Sequence, residues 1–201
     1  MRRTKIVCTL GPASSSEEMI EKMLRAGMNV ARLNFSHGTH EEHKKTVETF
    51  RAVRDRMGVS AAVMLDTKGP EVRIKTFKDG SVSLKRGDIF TFTAREVEGD
   101  EKCVSISYPE LAPQLSSGTR LLLDDGKLAF SVVETNDTDI VCRVEVGGIL
   151  KNKKSINIPN VPIDMPYMSE KDKSDILFGI ENDVDFVAAS FVRSRDDVVS
   201  L

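Results

Sequence analysis

The sequence of 201 residues has no tryptophan, only three cysteines and no long apolar run. Cys8, Cys103 and Cys142 are far apart and form no C-x-x-C pair, so neither a disulfide framework nor a zinc ribbon is indicated and a reducing compartment is favoured. No stretch approaches the roughly 18 apolar residues of a membrane span, and the apolar stretch near the amino terminus is too short for a signal peptide. We therefore expect a cytoplasmic protein.

The sequence also lacks an excess of charge of either sign. Its 29 Lys and Arg residues are matched by 31 Asp and Glu residues, which leaves a net charge of −2. Broad electrostatic binding to nucleic acid or to anionic lipid requires a basic surface. We therefore expect neither nucleic acid nor membrane as a partner, and a small molecule is favoured.

Two common phosphate-binding loops are missing as well. The sequence contains neither G-x-x-x-x-G-K-[ST] nor G-x-G-x-x-G, which excludes P-loop nucleotide hydrolases and Rossmann-type dinucleotide folds. Any nucleotide must therefore be held by other groups.

What the sequence does contain, in residues 1–68, is a repeat of short apolar runs and amphipathic segments. The runs KIVCTL, VARLNF and AAVMLD predict parallel strands, because alternation of strands with helical patterns is typical of βα units. Capping boxes at 15–18 and 39–42 predict the starts of two helices, and Gly27 and Gly58 predict their ends.

The apolar period then changes from helical to alternating over residues 70–166. The alternating segments are EVRIKTF, SVSL, IFTFT, VSISY, RLLLDD, LAFSVVE and IVCRVEV. Short, evenly spaced strands of this kind predict a small all-β barrel or sandwich. After them a capping box at 169–172 predicts a helix, DFVAASF predicts a fully buried strand, and a capping box at 194–197 predicts a last helix.

These segments predict an α/β fold with an inserted all-β domain. Residues 1–69 and 167–201 would form the first half of a TIM (β/α)₈ barrel, and residues 70–166 a small β-barrel domain. A complete barrel needs eight strands and about 250 residues, whereas four βα units are present here. We therefore expect the chain to be a fragment of a longer protein.

Polar residues lie at the predicted strand ends, where the active site of a TIM barrel is built. Side chains alternate along a strand, so Arg32, Asn34 and Ser36 share one face and Ala31 and Leu33 the other. A guanidinium inside a barrel stays charged and needs an anion, and its planar fork suits a phosphate or a carboxylate. The alternative is an ion pair between Arg32 and a carboxylate of the core.

The residues Asn34, Ser36, Asp66 and Thr67 offer oxygen ligands with a single formal negative charge among them. Hard cations take such ligand sets, and one charge favours a monovalent ion such as K⁺ over a divalent ion. The alternative is that strand-end Asn and Ser residues cap the following helix.

The histidines form an H-x-x-H-x-x-H pattern at His37, His40 and His43. Steps of three residues drift around a helix and no fourth ligand is near, so we expect no zinc site and predict solvated side chains at His40 and His43. The basic run KNKK includes Lys154 and is interpreted most simply as a solvated loop.

Six long strings follow one another along the chain. They are KIVCTLGPAS, GMNVARLNFSHG, LDTKGPEVR, LLLDDG, KNKKSINIP and SEKDKSDILFGIENDVDFVAASFVR. In these strings and in their order the sequence resembles the pyruvate kinase family in its bacterial form, from Thr4 to about Val198. Two positions depart from the family's pattern, since Ser155 and Asn160 stand where the family usually has glycine.

The resemblance implies phosphoryl transfer from phosphoenolpyruvate to ADP, which yields pyruvate and ATP in glycolysis, with Mg²⁺ and K⁺ as cofactors. It also implies that the inserted β domain closes as a lid over the nucleotide. The residues that match the family's site are Arg32 as the catalytic group on the transferring phosphate, Asn34, Ser36, Asp66 and Thr67 as K⁺ ligands, and Arg73, Lys154 and His37 at the nucleotide phosphates.

The family's Mg²⁺ ligands and its transition-state lysine lie on later strands, beyond Leu201. No residue of this chain is therefore assigned to Mg²⁺, and we expect the 201 residues alone to be inactive. For the full-length enzyme the resemblance implies a homotetramer. A short, non-catalytic binding module derived from the same fold is the alternative, and the strings LNFSHG and DTKGPE disfavour a different phosphoenolpyruvate enzyme.

Overall fold

A computed structural model of the protein describes residues 3–201. The chain divides into two compact units. The first unit comprises Met1–Pro70 and Pro166–Leu201, and the second comprises Glu71–Met165.

The first unit begins with strands and helices in alternation. These elements are β1 (Val7–Thr9), α1 (Glu17–Ala26), β2 (Val30–Asn34), α2 (His40–Met57) and β3 (Ala62–Asp66). The capping box predicted at the start of α2 is confirmed, because the Thr39 side chain and the Glu42 side chain each bond the other residue's backbone N–H. The cap of α1 is one residue later than predicted, since the Ser16 hydroxyl accepts from the Met19 N–H.

The second unit is made of short strands and one 3₁₀ helix. They are β4 (Ser81–Leu84), β5 (Ile89–Thr93), β6 (Cys103–Ser105), a 3₁₀ helix (Pro109–Gln114), β7 (Arg120–Leu123), β8 (Leu128–Thr135), β9 (Asp139–Val146), β10 (Gly148–Lys151) and β11 (Ile156–Asn157). Six of the strands form one sheet in the order β11-β7-β8-β9-β5-β6, and β10 pairs with β4.

Two features of this unit differ from the sequence prediction. The segment EVRIKTF, predicted as a strand, contributes isolated bridges at Arg73, Ile74 and Phe77. The strands β10 and β11 follow the last predicted strand. The core of this unit is built on the alternating residues of the strands, with Phe90, Phe92 and Phe130 buried at its centre.

The chain returns to the first unit with α3 (Glu170–Glu181), β12 (Phe186–Ala188) and α4 (Arg195–Ser200). The strands of this unit are all parallel and lie in the order β1-β2-β3-β12. The unit is thus α/β, with a half-barrel sheet as predicted. Among the helices of residues 3–201, none is long and apolar enough to cross a membrane.

The last strand is not buried as predicted. Phe186 is 52% exposed and Val187 is 40% exposed. The physical reason is that β12 is an edge strand, which pairs with β3 on one side. A run of apolar letters predicts that a strand will be covered, and it cannot tell which part of a protein supplies the cover.

The two faces of β2 have different surroundings, as the alternation predicts. Ala31, Leu33 and Phe35 are buried in the core that also contains apolar residues of α1, α2 and α3. Arg32 and Asn34 are partly exposed on the opposite face. The helices therefore cover one face of the sheet, and the polar side chains of β2 are directed to the other.

Candidate functional site at the carboxyl ends of the strands

The register of the sheet brings the polar strand ends together. Asn34 at the end of β2 is paired with Asp66 at the end of β3, and Asp66 is also paired with Ala188 of β12. The carboxyl ends of parallel strands thus meet at one edge of the half-barrel, the edge at which TIM barrels build their sites.

Arg32 is held at this edge by the two neighbouring strands. Its Nε lies 2.9 Å from Asp66 Oδ2, and its Nη2 donates to the same oxygen. Its Nη1 donates to Thr9 Oγ1 of β1 at 2.6 Å. The guanidinium is therefore in the ion pair with a core carboxylate that was the alternative interpretation of the sequence, and 34% of its side chain stays exposed at this edge.

The other carboxylate oxygen of Asp66 faces the end of β12. Asp66 Oδ1 accepts from Ser190 Oγ at 3.0 Å. The Ser190 N–H donates in turn to Thr67 Oγ1 at 3.1 Å, and the Thr67 N–H donates to Ala188 O, also at 3.1 Å. Ser190 and Thr9 are the two site residues that sequence reasoning did not assign, although Ser190 stands in the polar end of an apolar run.

Asn34 and Ser36 are joined by a local hydrogen bond. Asn34 Oδ1 accepts from the Ser36 N–H at 3.0 Å, as in an Asx turn. The intervening Phe35 N–H donates to Asp66 O at 3.0 Å, which ties this turn to β3. The structure therefore brings Asn34, Ser36 and Asp66 to adjacent strand ends, with Thr67 next in the chain.

The donor set at this edge consists of oxygens. It fits a hard cation of low charge, because one carboxylate, one amide, one hydroxyl and one backbone carbonyl carry a single formal charge. Within the described part of the chain, no group of three or more His, Cys, Asp and Glu residues is placed to hold a metal ion. A divalent or transition-metal site assembled from such residues is therefore not found among residues 3–201.

The three histidines have different surroundings. The His37 side chain is exposed just after β2, next to the turn that carries Asn34 and Ser36. The prediction of solvated side chains at the other two is wrong. His43 stacks on Phe35 with ring centroids 4.0 Å apart, and His40 Nε2 lies 2.8 Å from Asp175 Oδ1. Burial lowers the pKa of His43.

In the second unit, Arg73 lies beside residues 152–155, the loop that joins β10 to β11 and carries Lys153 and Lys154. Arg73 Nη1 donates to Lys153 O at 2.7 Å, and Arg73 Nε donates to Glu71 Oε2 at 2.8 Å. Arg73 also forms an antiparallel bridge with Ser155. The two residues predicted to reach nucleotide phosphates, Arg73 and Lys154, are thus neighbours within one unit.

Lys154 is not a freely solvated loop residue. Its Nζ lies 2.6 Å from Asp124 Oδ1, and the second oxygen of Asp124 faces Lys127 Nζ at 3.1 Å. These two ammonium groups, Lys154 first, lower the pKa of Asp124. Asn160, one of the two departures from glycine, has φ of 63°, a left-handed conformation that asparagine tolerates better than most residues.

The parallel strands alternate with helices, and an arginine and several oxygen donors lie at the carboxyl ends of these strands, which is the architecture of part of a (β/α)₈ barrel. Comparison with known sequences identifies the family. The profile described as "Pyruvate kinase, barrel domain" matches residues 1–201. The chain belongs to the pyruvate kinase family.

Individual relatives agree with this assignment. The pyruvate kinase of Staphylococcus haemolyticus (strain JCSC1435) is 49% identical over 203 residues, which cover 100% of this chain and 35% of that protein. The pyruvate kinase of Clostridium perfringens (strain 13 / Type A) is 48% identical over 202 residues, which cover 100% of this chain and 43% of that protein. The chain therefore spans about two fifths of the length of these curated relatives.

Proposed function

We propose that this chain forms the amino-terminal part of the catalytic machinery of a pyruvate kinase. In the reaction, an oxygen of the ADP β-phosphate forms a bond to the phosphorus of phosphoenolpyruvate, and the bond from phosphorus to the enol oxygen breaks. The resulting enolate of pyruvate is then protonated at carbon. The observation that carries the proposal is the placement of Arg32 at the carboxyl ends of the strands, between Asp66 and Thr9.

Arg32 would bind the phosphoryl group that is transferred. Its three contacts leave the guanidinium fixed in direction while a third of the side chain is exposed. A donor that is already oriented stabilises the charge that spreads over the phosphoryl oxygens without reorganising during the reaction. Asp66 would therefore have two roles, since it orients Arg32 and supplies the formal charge of the cation site.

The residues Asn34, Ser36, Asp66 and Thr67 would hold K⁺, the last through its backbone carbonyl. The oxygen-only donor set with one formal charge supports a monovalent ion at this place. When bound, K⁺ and Mg²⁺ supply positive charge to the phosphoryl oxygens. The carboxylates that would hold Mg²⁺ are expected beyond Leu201, and none of the residues described is assigned to it.

Arg73 and Lys154 would bind the nucleotide phosphates, with His37 at the periphery. This assignment is supported by the hydrogen bond from Arg73 to the carbonyl of Lys153, which holds together the two segments that carry these cationic side chains. Residues 70–166 would act as a lid that excludes water, because water could otherwise accept the phosphoryl group. The division of the chain at Pro70 and Pro166 favours hinges there.

The proposed function also implies the substrates, the assembly and the location of the full-length protein. Its partners would be phosphoenolpyruvate or pyruvate and ADP or ATP, and it would assemble as a homotetramer. The three free thiols, at Cys8, Cys103 and Cys142, support a cytoplasmic location.

The test is a coupled assay for pyruvate formation by the full-length protein, with Lys154→Met and Lys151→Met as a matched pair. Both lysines belong to the KNKK run, but Lys151 is exposed on β10 whereas Lys154 pairs with Asp124. We expect Lys154→Met to raise the KM for ADP about 10-fold or more, the loss typical of a charged contact, and Lys151→Met to leave it unchanged.

The 201-residue chain is the negative control in this assay. It should give no turnover, because the Mg²⁺ ligands and the transition-state lysine are expected outside it. A full-length protein without pyruvate-forming activity would refute the proposal, and equal KM values for the two lysine variants would refute the assignment of Lys154.

A further inference from the structure

The turn between β2 and α2 is held from outside by side chains of two helices. Lys171 Nζ of α3 donates to Phe35 O at 2.8 Å. His43 Nε2 of α2 lies 2.8 Å from His37 O, so this nitrogen carries the hydrogen of the neutral ring. Two carbonyls of the turn, those of Phe35 and His37, are thus each bound by a helix side chain.

Lys171 is itself fixed by a buried carboxylate. Its Nζ lies 2.6 Å from Asp175 Oδ2, and Asp175 Oδ1 lies 2.8 Å from His40 Nε2. Asp175 is 1% exposed, so it requires charged or hydrogen-bonded partners on both oxygens. His40 in turn stacks on Phe178 with ring centroids 4.6 Å apart. The position of the Lys171 ammonium group is therefore determined by packing between α2 and α3.

Phe35 links Lys171 and His43 to the candidate cation site. Its ring is buried and stacks on His43, its N–H donates to Asp66 O, and its carbonyl accepts from Lys171. Both polar groups of its backbone are thus bound by neighbouring elements. The two residues bonded to Phe35 in the chain are Asn34 and Ser36, whose oxygens belong to the proposed K⁺ ligands.

We propose that Lys171 and His43 are positioning residues for the cation site, and that they set the K⁺ affinity by fixing the turn that carries Asn34 and Ser36. The proposal rests on the proposed function, because the cation is K⁺ only if that function is right. A simple surface ion pair is a poor account of Lys171, since its amine also bonds a backbone carbonyl 136 residues away in the chain.

The helix itself supplies a matched control. Lys173, also in α3, pairs with Glu170 on the surface, and both side chains are more than half exposed. Lys171→Met and Lys173→Met each remove one ammonium group and one ion pair within the helix. Only the first also removes the hydrogen bond to Phe35 O and one partner of the buried Asp175.

The first measurement is hydrogen exchange of the peptide spanning residues 33–39 in the 201-residue chain. We expect exchange there to be about 5-fold faster or more in Lys171→Met, because the turn loses a hydrogen bond to a charged donor. Lys173→Met should exchange like the wild type. Equal exchange in the two variants would overturn the proposal.

The second measurement is the K⁺ dependence of the full-length protein. The half-saturating K⁺ concentration is obtained from the rise in unfolding temperature when KCl replaces tetramethylammonium chloride at constant ionic strength, and again from steady-state rates. Lys171→Met should raise it about 3- to 10-fold, with most of the kcat regained at saturating K⁺. A merely structural role would lower the unfolding temperature equally in both salts, and this result would overturn the proposal.

His43→Phe is the second variant, since it keeps the ring stack on Phe35 and removes the hydrogen bond to His37 O. It should shift the K⁺ dependence in the same direction, and an unchanged K⁺ dependence in both variants would overturn the proposal. A wild-type protein that does not distinguish K⁺ from tetramethylammonium would refute the K⁺ assignment in the proposed function. In that case the hydrogen-exchange result still decides whether Lys171 fixes the turn.

Discussion

Replacing Gly69 by alanine tests how tightly the strand ends of the candidate site are packed. Gly69 follows β3 in the chain and has φ of 67°, a left-handed conformation that disfavours a side chain. A Cβ at this position would lie 2.7 Å from the backbone oxygen of Ser190 and 3.1 Å from the Phe191 ring. The substitution therefore combines backbone strain with a collision against the end of β12.

The expected loss of stability can be estimated from these two causes. The left-handed conformation costs a residue with a Cβ about 1 to 2 kcal/mol. The collision with a backbone atom requires a shift of the chain, which costs about 1 to 3 kcal/mol. Gly58→Ala is the matched control, because Gly58 has φ of 62° and no atom within 4 Å of the added Cβ. Gly69→Ala should thus be about 1 to 3 kcal/mol less stable than Gly58→Ala.

Urea unfolding followed by circular dichroism at 222 nm measures this difference. The four α-helices found among residues 3–201 lie in the first unit, as does each of the two glycines, so the signal reports on the unit that is perturbed. With a slope of about 2 kcal/mol per molar urea, the midpoint of Gly69→Ala should lie about 0.5 to 1.5 M below that of Gly58→Ala. Equal midpoints would show that the end of β12 moves freely and would refute the packing at the site.

Two further predictions concern the cation site and a buried thiol. In the full-length enzyme, Asp66→Ala should raise the half-activating K⁺ concentration about 10-fold or more, because it removes the one formal charge of the site; a steady-state KCl series with unchanged K⁺ dependence would contradict the assignment. Burial raises the pKa of the Cys142 thiol to about 12. The unfolded chain loses this proton near pH 9 and the folded chain keeps it, so this group should lower the free energy of unfolding by about 1.4 kcal/mol per pH unit above pH 9. Cys142→Ala should remove this part of the slope in urea unfolding between pH 8 and 10.5, and an identical slope in the variant would count against the burial of the thiol.

The helices could be predicted from the sequence because their signals are local. Capping at Thr39 and Ser169 and the left-handed glycines at Gly27 and Gly58 are set by residues within one turn of each helix end. The exposure of β12 could not be predicted, because it depends on which elements lie beside the strand.

The site shows the same division between local and distant causes. The alternation along β2 predicts the face on which Arg32 lies, since period 2 is a property of the strand alone. It does not predict that Asp66 forms an ion pair with Arg32 besides being a proposed K⁺ ligand, because Asp66 lies on another strand. His40 and Lys171 were indistinguishable from solvated helix residues, since the carboxylate and the carbonyl that bind them are contributed by other elements.

The most direct test of the phosphoryl-transfer site is kcat for pyruvate formation by the full-length enzyme carrying Arg32→Lys. Lysine keeps the charge, but it cannot reproduce the three directed contacts to Asp66 and Thr9 or present a planar fork to a phosphate. Arg25→Lys is the control, because Arg25 pairs with Glu21 on the surface of α1. We predict that Arg32→Lys lowers kcat about 100-fold or more while Arg25→Lys leaves it unchanged. A kcat for Arg32→Lys within about twofold of the wild type would contradict the role of Arg32 in holding the transferred group.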